Sequence, residues 1–298
     1  MKSDANVGAL RGSGSLLKDF AALTKARIGL FVVISTLVGY VAGVGETLDV
    51  LRLIHTLLAT FLVGSGASAL NQYLECEFDA RMQRTADRPL PAGRLHPDQA
   101  YLCGLLMLGG GIVYLVGWVN WLTAGVAALT GVIYLLFYTP LKRRTTQNTV
   151  IGAVAGALPP VGGWTAARGD LGIEALILFA IVFVWQFPHF YAIAWMYRDD
   201  YARAGYQMMS LGDSDGDRTA NRVLLYSLAL LPIGLMPTLA GMTGATYFYT
   251  AFVMGGVIIG AAYAFFRTRS DQQARRLMHT TLVYLPTLWV VLIFDLLP

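Results

Sequence analysis

Long apolar runs alternate with short polar intervals along most of this chain. The clearest runs cover residues 28–44, 53–70, 171–185, 223–241 and 246–266. A hydrocarbon layer about 30 Å thick is crossed by roughly 20 apolar residues at 1.5 Å each, so runs of this length predict membrane-spanning helices. The pattern predicts nine of them, at 26–45, 53–74, 99–118, 121–139, 148–167, 173–197, 222–241, 246–266 and 277–297. The predicted architecture is an all-α integral membrane protein, a single domain of nine helices. A polar N-terminal segment (1–24) precedes the first run, which lacks a small-residue cleavage site and reads as an uncleaved first span.

Composition agrees. Of 298 residues, 56% are hydrophobic and 13% charged, too few charges to cover the surface of a soluble domain of this size. The two cysteines, Cys76 and Cys103, have the spacing of neither a metal site nor a disulfide framework. Net charge is +4, but its distribution says more. With the N-terminus inside, every Lys and Arg except Arg52 and Arg168 falls in an inner segment, so the positive-inside rule predicts a cytoplasmic N-terminus and an outer C-terminus. The two long inner intervals, 75–98 and 198–221, both begin with mixed acidic and basic residues, a pattern of two halves facing one site. The outer intervals are bland.

Chemistry therefore belongs to the inner side. Asn71, Glu75 and Asp79 are spaced i, i+4, i+8, which aligns them on one helix face, while Glu77 points elsewhere. Carboxylates lined up near a bilayer repel one another, and a divalent cation removes that repulsion. Mg²⁺ takes one or two carboxylates and completes its shell with water and substrate phosphates. Arg81, Arg84 and Arg88 follow at once, and guanidinium groups pair with phosphate oxygens. The combination predicts a diphosphate site; the competing account is a solvated helix end with ordinary ion pairs.

Two further clusters lie at inner helix ends. In "YTPLKRRTTQN", Tyr138 and Lys142 share a cavity if the helix persists past Pro140, and Arg143 and Arg144 read as topology determinants. The small-residue stretch after it allows close helix approach, with Pro159 and Pro160 interrupting the helix. In "WQFPHFYAIAWMYRDDYARAG", His189 sits among Trp185, Phe187, Phe190 and Tyr191, with Asp199 and Asp200 nearer the cytoplasm. A deep histidine beneath a charged mouth suits a large, flat, apolar acceptor; a plain interhelical hydrogen bond is the competing account. "DSDGD" (213–217) reads as an acidic turn, and His55, His96 and His279 carry no assignment.

These motifs resemble the UbiA-type intramembrane prenyltransferases. The resemblance runs from "LTKARIGL" to the ninth helix and rests on Asn71-x-x-x-Glu75-x-x-x-Asp79, "MQRTADRPLPAG", "YTPLKRRTTQN", "GALPPVGGW" and "PHFYAIAWMYRDDYARAG". "RPLPAG" and the "PHFY" segment point to the branch that modifies heme. Two departures stand out: Ala26 occupies a place where the family often has Pro, and the loop after Gly205 differs, so no substrate contact is carried over there.

The resemblance implies nine helices around a central cavity open laterally to lipid, and transfer of a farnesyl group from farnesyl diphosphate to a vinyl group of heme B, with Mg²⁺ as the cofactor. Asn71, Glu75 and Asp79 would hold the metal, with Asp199 and Asp200 holding a second ion or ordering the mouth. Arg84, Arg88, Lys142, Tyr138 and Asn148 would bind diphosphate, and His189, Trp185 and Tyr191 the heme. For His189 three roles stay open: deprotonating water, hydrogen-bonding the porphyrin, or touching its iron. The implied setting is a bacterial inner membrane with the site facing the cytoplasm, in contact with lipid and in possible association with a heme A synthase or a terminal oxidase, and without nucleic acid. Other readings are prenylation of a quinone precursor or chlorin, a transporter, or a non-catalytic heme-binding assembly factor. Transport predicts polar groups at the midplane and on both sides, which the bland outer half lacks.

Overall fold

The computed structural model describes residues 13–45 and 47–297, so residues 1–12 of the predicted polar segment, with Lys2 and Arg11, lie outside the described residues. Among the described residues nine helices are long and apolar enough to cross a membrane. They are α2 (Ala26–Gly43), α3 (Val50–Asp79), α4 (Pro97–Trp118), the rod Trp121–Leu141, α7 (Asn148–Arg168), α8 (Ile173–Met196), α10 (Asp217–Leu239), α11 (Ala245–Thr268) and α12 (Asp271–Phe294). The rod is α5 (Trp121–Val132), a π-helical segment (Ile133–Tyr138) and a last turn, α6 (Thr139–Leu141). Two helices were not foreseen: α1 (Ser13–Leu23), inside the segment read as merely polar, and α9 (Arg198–Ala204), inside the second long interval.

Most predicted ends fall within a few residues of the observed ones, and the exceptions have local causes. Asp49 accepts from the Arg52 amide and starts α3 ahead of its apolar run. His96 accepts from the Asp98 amide while the His96 amide donates to Gln99 Oε1, which starts α4 at Pro97. Ser270 caps α12 six residues before the hydropathy pattern does. At its C-terminal end α3 runs on to Asp79, five residues past its predicted end. At 30 residues it is about 45 Å long, so it outruns a hydrocarbon core and carries its polar last turns beyond it.

The prolines do not break α7, contrary to the sequence expectation: the helix is continuous through Pro159 and Pro160. Neighbours hold it in place. A Cβ on Gly39 would stand 1.9 Å from the Pro160 carbonyl oxygen, and one on Gly163 would stand 1.9 Å from that of Thr36. The α2 and α7 backbones thus touch, a contact only glycine permits, and Gln186 of α8 donates to the Ala153 carbonyl from another side.

The helices form two groups. α2, α3, α4, the rod and α7 pack together, and α8, α10, α11 and α12 pack around one large apolar core; α7–α8 and α2–α12 contacts join the two. The "DSDGD" turn closes the N-terminal start of α10. Asp213 accepts from the amides of Arg218 and Thr219 and from the Thr219 hydroxyl. Burial alone would raise the Asp213 carboxyl, but these donors outweigh it and hold its pKa below the ordinary value.

Candidate active site

The alignment of Asn71, Glu75 and Asp79 on one helix face survives in three dimensions: all three are buried, while Glu77 is exposed. Each is tied to a base. Glu75 receives Lys142 Nζ on both carboxylate oxygens, at 2.9 and 3.0 Å. Asp79 receives Arg88 at 2.5 Å. Asn71 Oδ1 accepts from Lys25 Nζ at 2.9 Å and from the Tyr134 hydroxyl at 3.2 Å.

The π-helical segment arranges this corner. It brings Tyr134 and Tyr138 into a stacked pair 5.4 Å apart, and the chain continues helically past Pro140, so Lys142 Nζ sits 4.5 Å above the Tyr138 ring. Thr139 donates back to the Tyr134 carbonyl and accepts from the Asn71 amide, which locks the wider turn to α3. Gly152 on α7 makes room for Tyr138, since a Cβ there would lie 2.7 Å from the ring.

The pocket is lined by Lys25, Glu75, Asp79, Met82, Arg84, Arg88, Tyr138, Lys142, Tyr201, Tyr206 and Met208. Four basic side chains face two carboxylates, an excess of positive charge that suits an anion and that Arg84, Arg88 and Lys142 supply even where Lys25 is part-neutral. The cavity volume is about 70 Å³. Burial, and then the positive charges of Arg88 and Lys142, lower the Lys25 ammonium to about 7. Burial acts on Lys142 in the same sense, but the Glu75 carboxylate outweighs it and keeps Lys142 well above its usual value.

Five pocket residues escaped the sequence reading as site groups: Lys25, Met82, Tyr201, Tyr206 and Met208. Lys25 was counted only as an inner-side charge; its left-handed backbone, with φ of 49°, turns the chain from α1 into α2 beside Asn71. Tyr206 and Met208 belong to the divergent loop from which nothing was carried over. The Tyr206 hydroxyl is buried facing Glu75 without closing a conventional hydrogen bond. Tyrosines in loops are common, so the sequence offered no signal for these two.

The other predicted residues lie elsewhere. Asp200 is buried and accepts from the Gln83 and Arg84 amides while pairing with Arg203, so it binds the two long intervals together. Asp199 is exposed beside a second, shallower pocket with Gln83, Arg84, Tyr197 and Arg203. Arg84 belongs to both pockets, lying 5.0 Å over Tyr197 and donating to the Tyr201 hydroxyl. Asn148 spends its amide hydrogens on the carbonyls of Thr145 and Gln207, outside the pocket lining. Trp185 and Tyr191 are buried in the α8 core, and His189 meets Thr281 of α12, away from the charged pocket. Among the described residues no three or more of His, Cys, Asp and Glu form a metal-holding group. The donor set on α3 still fits Mg²⁺, which needs only one or two carboxylates when phosphates supply the rest.

Comparison with known proteins adds to this geometry. The model of the UbiA prenyltransferase family matches residues 32–288. The protoheme IX farnesyltransferase of Solibacter usitatus is 43% identical over 288 residues, covering 94% of this chain and 99% of its own. That of Koribacter versatilis is 44% identical over 294 residues, covering 95% of each. A solved structure of a UbiA homolog from Archaeoglobus fulgidus bound to GPP and Mg²⁺ is similar in fold, with a TM-score of 0.66 at 13% identity over 92% of this chain and 99% of that one.

Proposed function

The chain belongs to the UbiA prenyltransferase family, and from that membership we propose that it farnesylates heme B at a vinyl group, releasing diphosphate and giving heme O. It is an integral, multi-pass membrane protein and a prenyltransferase. The names of its relatives supply the two substrates, and the pocket of four basic side chains and two carboxylates supports the diphosphate end.

The residues divide the work as follows. Glu75 and Asp79, with Asn71 beside them, would hold Mg²⁺ on the prenyl diphosphate. The ion would neutralise phosphate charge as the allylic C–O bond breaks. Lys142 and Arg88 would turn from the carboxylates to the phosphates, and Lys25 and Arg84 would complete the basic wall. These groups stabilise charge that develops on the leaving diphosphate, in a site where water is scarce and the interaction is strong. Asp200 orders the mouth by tying the Gln83–Arg84 backbone to α9. The vinyl π electrons form the new C–C bond to the farnesyl carbon. The cation left beside the porphyrin takes water, loses one proton and becomes the hydroxyethylfarnesyl group. The intervals 75–98 and 198–221 form the cytoplasmic cover of the site, with the N-terminus inside, the C-terminus outside and a bacterial inner membrane as the setting. Delivery to a heme A synthase or a terminal oxidase is the natural use of the product.

The test uses purified protein in detergent with heme B, farnesyl diphosphate and Mg²⁺, and reads extracted hemes by mass. The expected result is a farnesylated, hydrated heme that disappears with Glu75→Ala or with chelator. Prenylation of an aromatic acid or quinone precursor, with heme untouched, would overturn the acceptor and keep the reaction class.

A further inference from the structure

His189 has two ring nitrogens with different surroundings. Nδ1 lies 2.8 Å from Thr281 Oγ1 on α12. Nε2 makes no hydrogen bond within the described residues and is not among the buried polar atoms left without a partner, so it is open to an incoming group. The ring is fixed on its faces and edges as well. Trp185 stacks on it at 5.2 Å, Phe31 stacks on Trp185 at 5.6 Å, and Phe190 meets its edge at 5.5 Å. The Trp185 indole N–H donates to the Thr281 carbonyl at 2.8 Å, so one residue of α12 anchors both rings of α8.

The direction of the His189–Thr281 bond follows from a third contact. Thr281 Oγ1 is 2.6 Å from the Met278 carbonyl oxygen. A carbonyl oxygen only accepts, so two oxygens this close need the hydroxyl proton between them; otherwise lone pairs face each other. With its single proton committed to Met278, Thr281 offers His189 lone pairs alone. The bond forms only if Nδ1 carries the imidazole proton.

Building on the heme reading above, we propose that Thr281 is a positioning residue that holds His189 as the Nδ1–H tautomer, so that the unprotonated Nε2 is presented to the heme iron as an axial ligand. Of the three roles open to His189 in the sequence, this removes hydrogen-bond donation to the porphyrin, because a neutral Nε2 has no proton to give. A second group that fixes the tautomer and orientation of a ligating imidazole is a general requirement of metal-bound histidine, and its loss costs about 10–100-fold in metal affinity.

The experiment titrates the purified full chain with ferric heme B and follows ultraviolet–visible and EPR spectra, which report axial ligation independently of turnover. The wild type is expected to show an imidazole-bound heme. His189→Gly should lose that signature and regain it with added imidazole. Thr281→Val, close in shape but without the hydroxyl, should weaken heme binding about tenfold or more and shift the spin state, while Thr281→Ser should restore both. A wild-type spectrum in His189→Gly would overturn the ligand role. Loss in His189→Gly with an unchanged Thr281→Val, or no rescue by serine, would overturn the positioning role. A wild type that transfers prenyl groups to another acceptor yet binds no heme would instead remove the heme reading on which this proposal stands.

Discussion

Replacing Lys142 with methionine removes the ammonium that grips both oxygens of Glu75 and keeps a side chain of similar length. The pair is largely withdrawn from water, with 13% of the lysine side chain and 6% of the glutamate side chain exposed. At about 3 Å and an effective dielectric near 20, two unit charges attract by roughly 5 kcal/mol. Removing one partner of a buried pair costs about 3–5 kcal/mol, because a charge is left uncompensated. The metal-free variant is therefore expected to melt several degrees below the wild type. The same argument gives an opposite sign for metal binding. In the resting site Mg²⁺ or Mn²⁺ must displace Lys142 from Glu75, and the variant has nothing to displace. Recovering even about 1.4 kcal/mol of the pairing energy tightens binding tenfold. Mn²⁺ EPR titration without diphosphate should show that gain, and saturating Mn²⁺ should recover part of the lost melting temperature. Prenyl transfer should still fall steeply, since the leaving diphosphate loses a cation. Mn²⁺ binding that is unchanged or weaker in Lys142→Met would refute the exchange of Lys142 between carboxylate and phosphate.

Three other substitutions test the frame around the site. Gly39→Ala forces a methyl group into the Pro160 carbonyl of α7 and should cost at least 1–3 kcal/mol, read as a lower detergent melting temperature or a loss of folded protein. Gly152→Ala pushes on Tyr138 2.7 Å away and should raise KM for the prenyl diphosphate with little change in melting temperature; an unchanged KM would separate Tyr138 from substrate binding. Asp213→Asn removes a carboxylate whose pKa the Thr219 and Arg218 donors depress. A depressed carboxyl stabilises the fold above its unfolded value of about 3.9 and loses that contribution as pH falls through the lower folded value. The variant should thus be less stable than the wild type near pH 7, with the gap narrowing below about pH 4.

Much of the architecture was legible in the chain because a bilayer makes the same demand at every span. Roughly 20 apolar residues must follow one another, and basic residues must gather on one side, so hydropathy and charge marked all nine helices. The i, i+4, i+8 spacing of Asn71, Glu75 and Asp79 was equally readable, since helical geometry alone places them on one face. Helix ends were read less well at Asp49, His96 and Ser270, where capping side chains rather than hydropathy set the boundary. The continuity of α7 through Pro159 and Pro160 was misread, because Gly39, Gly163 and Gln186 that support it act across helix interfaces.

What no local pattern contains is partnership at a distance. Lys142 meets Glu75 across 67 positions of chain, Lys25 meets Asn71 across 46, and Asp200 meets the Gln83 amide across 117. The bond from His189 to Thr281 spans 92. Residue types and spacing determined that this protein crosses a membrane and carries an acidic face beside basic residues. Only the packed bundle decided which base closes on which carboxylate, that Tyr206 and Met208 join the pocket, and which nitrogen of His189 is left free. The physical reason is that spans and faces follow from backbone periodicity against a uniform solvent, whereas each such pairing depends on side chains that meet only once every helix is in place.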